Sequence, residues 1–332
     1  MSKITQYTIA EKAGVSAITV SRVINNKPDV NPKTRKKILK IINELNYVPN
    51  LLAKSLKSGK SKTIGVIVSN LYNPFFNDVL CGINEILNKK GYSIIVCNSN
   101  NSINEEEKNV LTLIEKRVDG ILITPVGKKS LDIMHLQKIK IPSVLFMSHI
   151  NLIKSDYVGF NDQLGSFQAA EHLISRGHKK ILYLHGPTNF SLTNERLRGF
   201  KKALFEYGIE KDESLFKEVT NPNMTEGYKI VKEILCQKQN FTAIATFNDY
   251  VAIGVLKAVL ERNLKVPEDI AIIGYDDIEF ASLSIIPLTT IQLPKFLLGK
   301  CAAQILLSKM IGQKCQCKNK FLKPKLVIRD ST

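Results

Sequence analysis

Apolar positions recur at helical spacing through the first fifty residues, and short apolar runs alternate with helical patterns after that. In Gln6–Ala13 the apolar Ile9, Ala10 and Ala13 sit three and four apart, which predicts a short amphipathic helix. Gly14-Val15-Ser16 ends it. Glycine supplies the turn, and the Ser16 hydroxyl can accept from a backbone N–H of the next helix. That second helix is predicted over about Ala17–Asn25. Val20, Val23 and Ile24 point inward with Val15, which leaves Ala17, Ile18, Ser21, Arg22 and Asn25 on the other side. A third helix starts at Asn31 (cap) and Pro32 (first turn) and runs to about Asn46, with Ile38, Ile41, Ile42 and Leu45 as its buried stripe. Two short helices joined by a glycine turn describe a helix-turn-helix, with a generic three-helix bundle as the competing reading.

From Thr63 onward, Thr63–Ser69, Ser93–Ser99, Gly120–Thr124 and Ser143–Met147 read as buried parallel strands. Helices are predicted between them at about Phe75–Lys89, Glu105–Lys116 and Ser130–Lys138. A second series has strands at Lys180–Leu184, Leu215–Val219, Thr242–Thr246 and Ile270–Tyr275. Its helices lie at about Leu164–Ser175, Asn194–Tyr207, Glu226–Gln237 and Asp249–Glu261. Two doubly wound α/β halves with right-handed crossovers satisfy this order. Ligands of such sheets bind beyond the carboxyl ends of the strands, so two facing halves make a cleft.

A length of 332 residues suits two or three domains. No stretch of 18 apolar residues occurs, which excludes a helical membrane span, and the first residues lack the apolar core of a signal peptide. A cytoplasmic protein is expected. The six cysteines mostly sit inside apolar runs and read as reduced core residues; Cys315-x-Cys317 has no second pair to make a zinc site. Charge is more informative. The chain has 47 Lys+Arg against 30 Asp+Glu, a formal +17. Residues 1–62 hold 13 basic and 3 acidic residues, so +10 lies there and +7 in all the rest. A basic head on a milder body is the footprint of a nucleic-acid-binding module, against the plainer alternative of a lysine-rich composition.

The string Ala13-Gly14-Val15-Ser16-x-x-Thr19-Val20-Ser21-Arg22-Val23 resembles the LacI/GalR family of bacterial transcription regulators. The match continues through Asn25-Asn26-Lys27-Pro28, Thr34-Arg35, Tyr47-Val48-Pro49-Asn50 and Ala53-Lys54-Ser55-Leu56. The resemblance implies a small all-α helix-turn-helix head plus an α/β body of two doubly wound subdomains, periplasmic-binding-protein-like. The expected borders are 1–48 for the head, 49–62 for a hinge helix and linker, and 63–332 for an effector-binding and dimerisation body. Within the body, one subdomain takes about 63–160 and 292–320, the other about 161–291 and 321–332. The resemblance puts Ala17, Ile18 and Arg22 at base-reading positions in the major groove. Arg22 can fork onto guanine, while Ala17 and Ile18 can touch a thymine methyl. Ser16, Thr19, Ser21, Asn25 and Thr34 are expected on backbone phosphates. Asn50, Ala53 and Lys54 belong to the hinge helix, whose Leu56 would wedge into a minor-groove step. Lys54 stands where the family more often has Arg, which weakens planar recognition.

The expected effector cleft draws on Asn73, Phe75 and Phe76 after the first strand, on Phe160 and Asn161 at the crossover, and on Phe190. It also draws on Arg196 within the family's R-x-x-G-F motif, on Asn248 and Asp249, and on Asp276. Carboxylates and a guanidinium suit vicinal hydroxyls, and no basic residue occurs between Pro187 and Asn194, which favours an uncharged sugar. No G-x-G-x-x-G follows a strand and no nucleophile–base arrangement is evident, so an enzyme, a cofactor and a metal are not expected. The five histidines read as surface or structural residues, and Glu105-Glu106-Glu107 as a complement to a helix dipole. The expected protein is an allosteric repressor of carbohydrate-utilisation genes. It would bind a near-palindromic double-stranded operator as a homodimer, because no leucine heptad follows Arg329 to build a tetramer. Two alternatives are a catabolite-type global regulator answering to a phosphoprotein, and a sugar-binding transport protein. The second leaves the basic head unexplained.

Overall fold

The computed structural model describes residues 4–47, 59–127, 131–150, 155–237, 241–313 and 319–332. It divides into two units, Met1–Ser61 and Lys62–Thr332. The first consists of α1 (Gln6–Ala13), α2 (Ala17–Ile24) and α3 (Pro32–Glu44) around Ile9, Val20, Val23, Ile38 and Ile41. Thr5 and Thr8 form a reciprocal capping box at α1, and Gly14 closes that helix at φ 67°, a conformation with a steric cost for any residue carrying a Cβ. Ser16 caps α2 as expected, accepting from the Thr19 N–H at 3.2 Å. Helices α2 and α3 stop one and two residues before their expected ends, because Asn25 leaves the helix and Asn46 turns to φ 46°.

The second unit contains two parallel sheets. The first lobe takes β1 (Thr63–Val68), α4 (Phe75–Asn88), β2 (Ser93–Asn98), α5 (Ile103–Glu115), β3 (Gly120–Ile123), α6 (Leu131–Lys138), β4 (Ser143–Phe146) and β5 (Tyr157–Phe160). The chain then enters the second lobe with α7 (Asp162–Ser175), β6 (Ile181–His185) and α8 (Ser191–Glu206), followed by a short 3-10 turn. It continues with β7 (Phe216–Glu218), α9 (Met224–Cys236), β8 (Ala243–Thr246), α10 (Asp249–Leu260), β9 (Ala271–Ile273) and α11 (Glu279–Leu283). The last elements are β10 (Thr290–Gln292), α12 (Lys295–Met310), β11 (Lys320–Leu322) and β12 (Lys325–Val327). The strand orders are β11-β5-β4-β3-β1-β2 and β7-β6-β8-β9, with β10 and β12 as an antiparallel pair. All pairings within the two larger sheets are parallel.

Strand β1 shows why these runs are apolar throughout. Ile64, Val66 and Val68 face one buried cluster, and Ile67 faces another beneath α5. Full burial of a side chain such as Ile67 stabilises the fold by roughly 1.5–3 kcal/mol. The alternation of apolar runs does not reveal β5, β10, β11, β12 or the long α12. Helix α12, which packs on α4, and strand β11 return the chain to the first lobe, whereas β10 and β12 pack on α7 of the second. Strand β11 pairs with β5 in the first sheet, so Phe321 and Leu322 lie with the first lobe, not with the second as expected. Helices α4 and α12 approach at glycines. A Cβ on Gly82 would lie 2.1 Å from the Phe296 carbonyl oxygen, and one on Gly299 would lie 2.0 Å from that of Val79.

Candidate functional site

A cavity opens between the lobes at the carboxyl ends of their strands, with about 540 Å³ of space including its mouth. Asn73 and Phe76 supply one wall, with Ser69, Thr124 and Met147 from the ends of β1, β3 and β4. Opposite them stand Phe190, Arg196, Phe247, Asn248 and Asp276. The rim is bonded across the lobes. Ser191 Oγ lies 2.9 Å from Ser148 Oγ and accepts from the His149 N–H, also at 2.9 Å, while Asn189 Nδ2 donates to the Val126 carbonyl at 3.1 Å.

Arg196 is the largest fully buried side chain among the described residues. Its Nε donates to Asp162 Oδ1 at 2.8 Å and its Nη1 to the Phe247 carbonyl at 2.6 Å. Its guanidinium lies 3.7 Å from the centre of the Tyr275 ring, and Nη2 stands 3.7 Å from Asp276 Oδ1. Burial disfavours the cation, but the charge of Asp162, Tyr275 and Asp276 outweighs it and holds Arg196 protonated. Asp276 Oδ1 is buried and has no hydrogen-bond partner among the described residues, and neither has Thr124 Oγ1 on the facing wall. Buried polar atoms left without a partner are costly, and these two face each other across the cavity.

Two carboxyls here titrate high. Burial pushes Asp276 up to about 7, against the pull of Arg196 and Lys295. Burial, then the charge of Asp276, pushes Asp249 up to about 8. Burial also raises Asp162, despite its bond to Arg196. Backbone strain gathers at the same place, with Asp276 at φ 110° and Met147 at φ 67°.

The expected residues separate into two groups. Asn73, Phe76, Phe190, Arg196, Asn248 and Asp276 line the cavity. Phe75, Phe160, Asn161 and Asp249 do not. Phe75 is fully buried, with Phe76 and Phe160 stacked edge-on at 5.3 and 6.2 Å. Asn161 is exposed and caps α7, accepting from the Leu164 N–H at 3.0 Å, and the next residue, Asp162, is the one that meets Arg196. Asp249 accepts from Thr290 Oγ1 at 2.5 Å and from the Ile278 N–H at 2.9 Å. Sequence reasoning misses Ser69, Thr124 and Met147, although each is the last residue of a predicted strand and the carboxyl-end rule points to such residues. It also misses Phe247. Glu106 is expected as a dipole complement, yet it is fully buried and accepts from the Val126 N–H at 2.7 Å, which fixes the loop after Thr124. Histidines take structural partners: His172 Nε2 lies 2.8 Å from Thr332 Oγ1, and His178 Nδ1 lies 2.8 Å from Thr242 Oγ1.

In the head, α2 leaves Ile18 71% exposed and Arg22 exposed, while Ala17 is half-buried and packs on the head core. Arg22 pairs with Asp29. Ser16 and Thr19 bond each other at 2.9 Å, Asn25 Nδ2 donates to the Ser21 carbonyl at 2.8 Å, and Thr34 is half-buried at the start of α3. Arg35 donates to Asn26 Oδ1 at 2.9 Å and to the Lys27 carbonyl, and so holds the turn after α2. Asn50, Ala53, Lys54 and Leu56 lie outside the described residues, as do Cys315 and Cys317. Among the described residues no three His, Cys, Asp or Glu could hold a metal ion, and no helix is long and apolar enough to cross a membrane.

Residues 5–50 match the profile described as "Bacterial regulatory proteins, lacI family". Residues 61–324 match "Periplasmic binding proteins and sugar binding domain of LacI family". The chain is 35% identical over 325 residues to the HTH-type transcriptional repressor PurR of Photobacterium profundum, covering 97% of each. It is also 35% identical over 330 residues to the Ribose operon repressor of Escherichia coli, covering 98% of this chain and 99% of that one. A solved lac repressor dimer bound to operator and the anti-inducer ONPF superposes with a TM-score of 0.87 at 30% identity, covering 99% of this chain and 98% of that one. With two family profiles covering head and body and full-length relatives at 35% identity, the chain belongs to the LacI family of DNA-binding transcriptional repressors.

Proposed function

We propose that this repressor controls carbohydrate-utilisation genes and answers to an uncharged sugar in the interlobe cleft, with D-ribose as the first candidate. The observation that carries this reading is the buried Asp276 Oδ1, which faces the cavity without a hydrogen-bond partner among the described residues. A sugar hydroxyl can donate to it. A second hydroxyl can bond Thr124 Oγ1 on the facing wall, so one ligand would join the lobes. The 35% identity to the Ribose operon repressor supports a pentose. The equal identity to PurR, with Phe76 and Phe247 on the cavity wall, supports a purine base as the rival ligand. Effector binding would bias the closure of the lobes and thereby operator affinity, a coupling between two sites without chemical turnover.

At the operator, Arg22 would exchange Asp29 for guanine, with Ile18 beside it on the groove floor. Ser16, Thr19, Ser21, Asn25 and Thr34 would bond phosphates, and Leu56 would wedge between base pairs from the hinge of each protomer. Two heads on a near-palindromic site require a homodimer. The protein would work in the cytoplasm, where its DNA is. Thermal-shift titration with D-ribose, other pentoses and hexoses, hypoxanthine and guanine tests the ligand. A shift with a pentose supports the reading, and a shift with a purine alone overturns it.

A further inference from the structure

Lysine at the start of a helix is unfavourable, because that end already carries partial positive charge. Lys295 is the first residue of α12, and it is only 6% exposed. A buried ammonium costs free energy unless it is bonded, and a residue that breaks a local rule in this way often marks a functional position. Its strongest bonds run across the lobes. Nζ donates to the Asp276 carbonyl at 2.9 Å and to the Asp277 carbonyl, both in the second-lobe loop after β9. On its own side it lies 3.7 Å from Asp78 Oδ2 of α4.

The loop it grips is strained. Asp276 has φ 110° and Asp277 φ 53°, a region that residues with a Cβ rarely occupy. Asp277 is pinned from the side by Arg329 at 2.6 Å and by Gln292 at 2.8 Å. Asp276 therefore turns its carboxyl to the cavity and its carbonyl to Lys295. Within a turn of Lys295, α12 has no slack against α4, because Gly82 and Gly299 bring the two backbones into contact. Helix α4 in turn starts with Phe75 and Phe76, and Phe76 lines the same cavity.

The geometry points to Lys295 as a positioning residue that couples the cavity carboxylate of Asp276 to the α4–α12 pair of the first lobe. A change of charge or contact at Asp276 shifts the loop, and the ammonium passes that shift to the first turn of α12. This rests on the reading of the cleft as the effector site, but its test needs no effector. Hydrogen exchange is measured on the full chain as wild type, D276N, K295M and the double variant. D276N should speed exchange at residues 75–79 and 295–299 by about twofold, the lower end for residues in one network. In the K295M background that increase should vanish. A simple structural role would give additive changes instead. The same increase with and without Lys295 overturns the proposal, as does a change confined to residues 275–278. Should K295M not fold, D276N against wild type still decides. Exchange changes that reach 295–299 support the tie, and changes that stop at the loop overturn it. Calorimetry with D-ribose on the wild type reports separately on the sugar reading.

Discussion

The head and the cleft do opposite things with their charged side chains. In the head, Arg22 is solvent-exposed and paired with a neighbour seven residues away, Asp29. In the cleft, Arg196 is buried and bonded to Asp162 and Phe247, which are distant in sequence. A charge kept in water can exchange partners at little cost, which suits a surface that must release and rebind DNA. A charge sealed among fixed partners cannot be removed without leaving those partners buried and bare. The head is therefore expected to tolerate substitution and lose only recognition, whereas the cleft should lose recognition and stability together.

Replacing Arg196 should break this contrast most severely. R196M leaves Asp162 and Asp276 buried without their cation, and the expected cost is roughly 3–5 kcal/mol. Urea unfolding measures it, and a loss below about 1 kcal/mol would mean the network contributes little. Next is D276N, which should weaken sugar binding at least about tenfold, the loss of one good hydrogen bond to a charged group. Its pH dependence carries a sign. Asp276 is raised when folded, so the folded chain holds more protons than the unfolded one between about pH 4 and 7. The stability from this group is present at low pH and lost as pH rises through 7. D276N should therefore gain on the wild type in urea midpoint as pH goes from 5 to 8, and a constant difference would refute the assignment.

In the head, R22A should reduce discrimination between operator and mismatched DNA by about 1–3 kcal/mol and leave the thermal midpoint nearly unchanged. Fluorescence anisotropy with both DNAs checks this, and retained discrimination would place base reading elsewhere. The smallest effect belongs to D29N. Freeing Arg22 from an exposed partner should tighten operator binding by no more than a few-fold, as such pairs are worth about 0.2–1 kcal/mol. With +10 in residues 1–62, affinity should also fall steeply with salt.

The same contrast explains what is legible in the sequence. The head is written in local spacing: Gly14, Ser16, Pro32 and the stripe of Ile38 and Ile41 each act within one turn or one helix, and the three helices follow from them. In the body, strands such as Thr63–Val68 are legible because burial on both faces makes them continuously apolar. Strands β10, β11 and β12 span three residues each and owe their existence to partners elsewhere in the chain, so no period announces them. In the cleft, Arg196, Asn248 and Asp276 follow from strand ends and one motif, but Asn161 does not line the cavity, and its neighbour Asp162 meets Arg196 instead. Nothing local distinguishes the carboxylate that meets Arg196 from the amide that caps α7. Glu106 and Lys295 are invisible for the same reason, because their partners Val126 and Asp276 are brought to them only by the tertiary fold.

Asp276 is the proposed sugar contact on which the coupling of cleft and operator turns. Isothermal titration of the full chain with D-ribose, as wild type and as D276N at pH 8, tests it directly. The expected result is one site per chain in the wild type and binding at least about tenfold weaker in D276N. Binding of equal strength to both would contradict it.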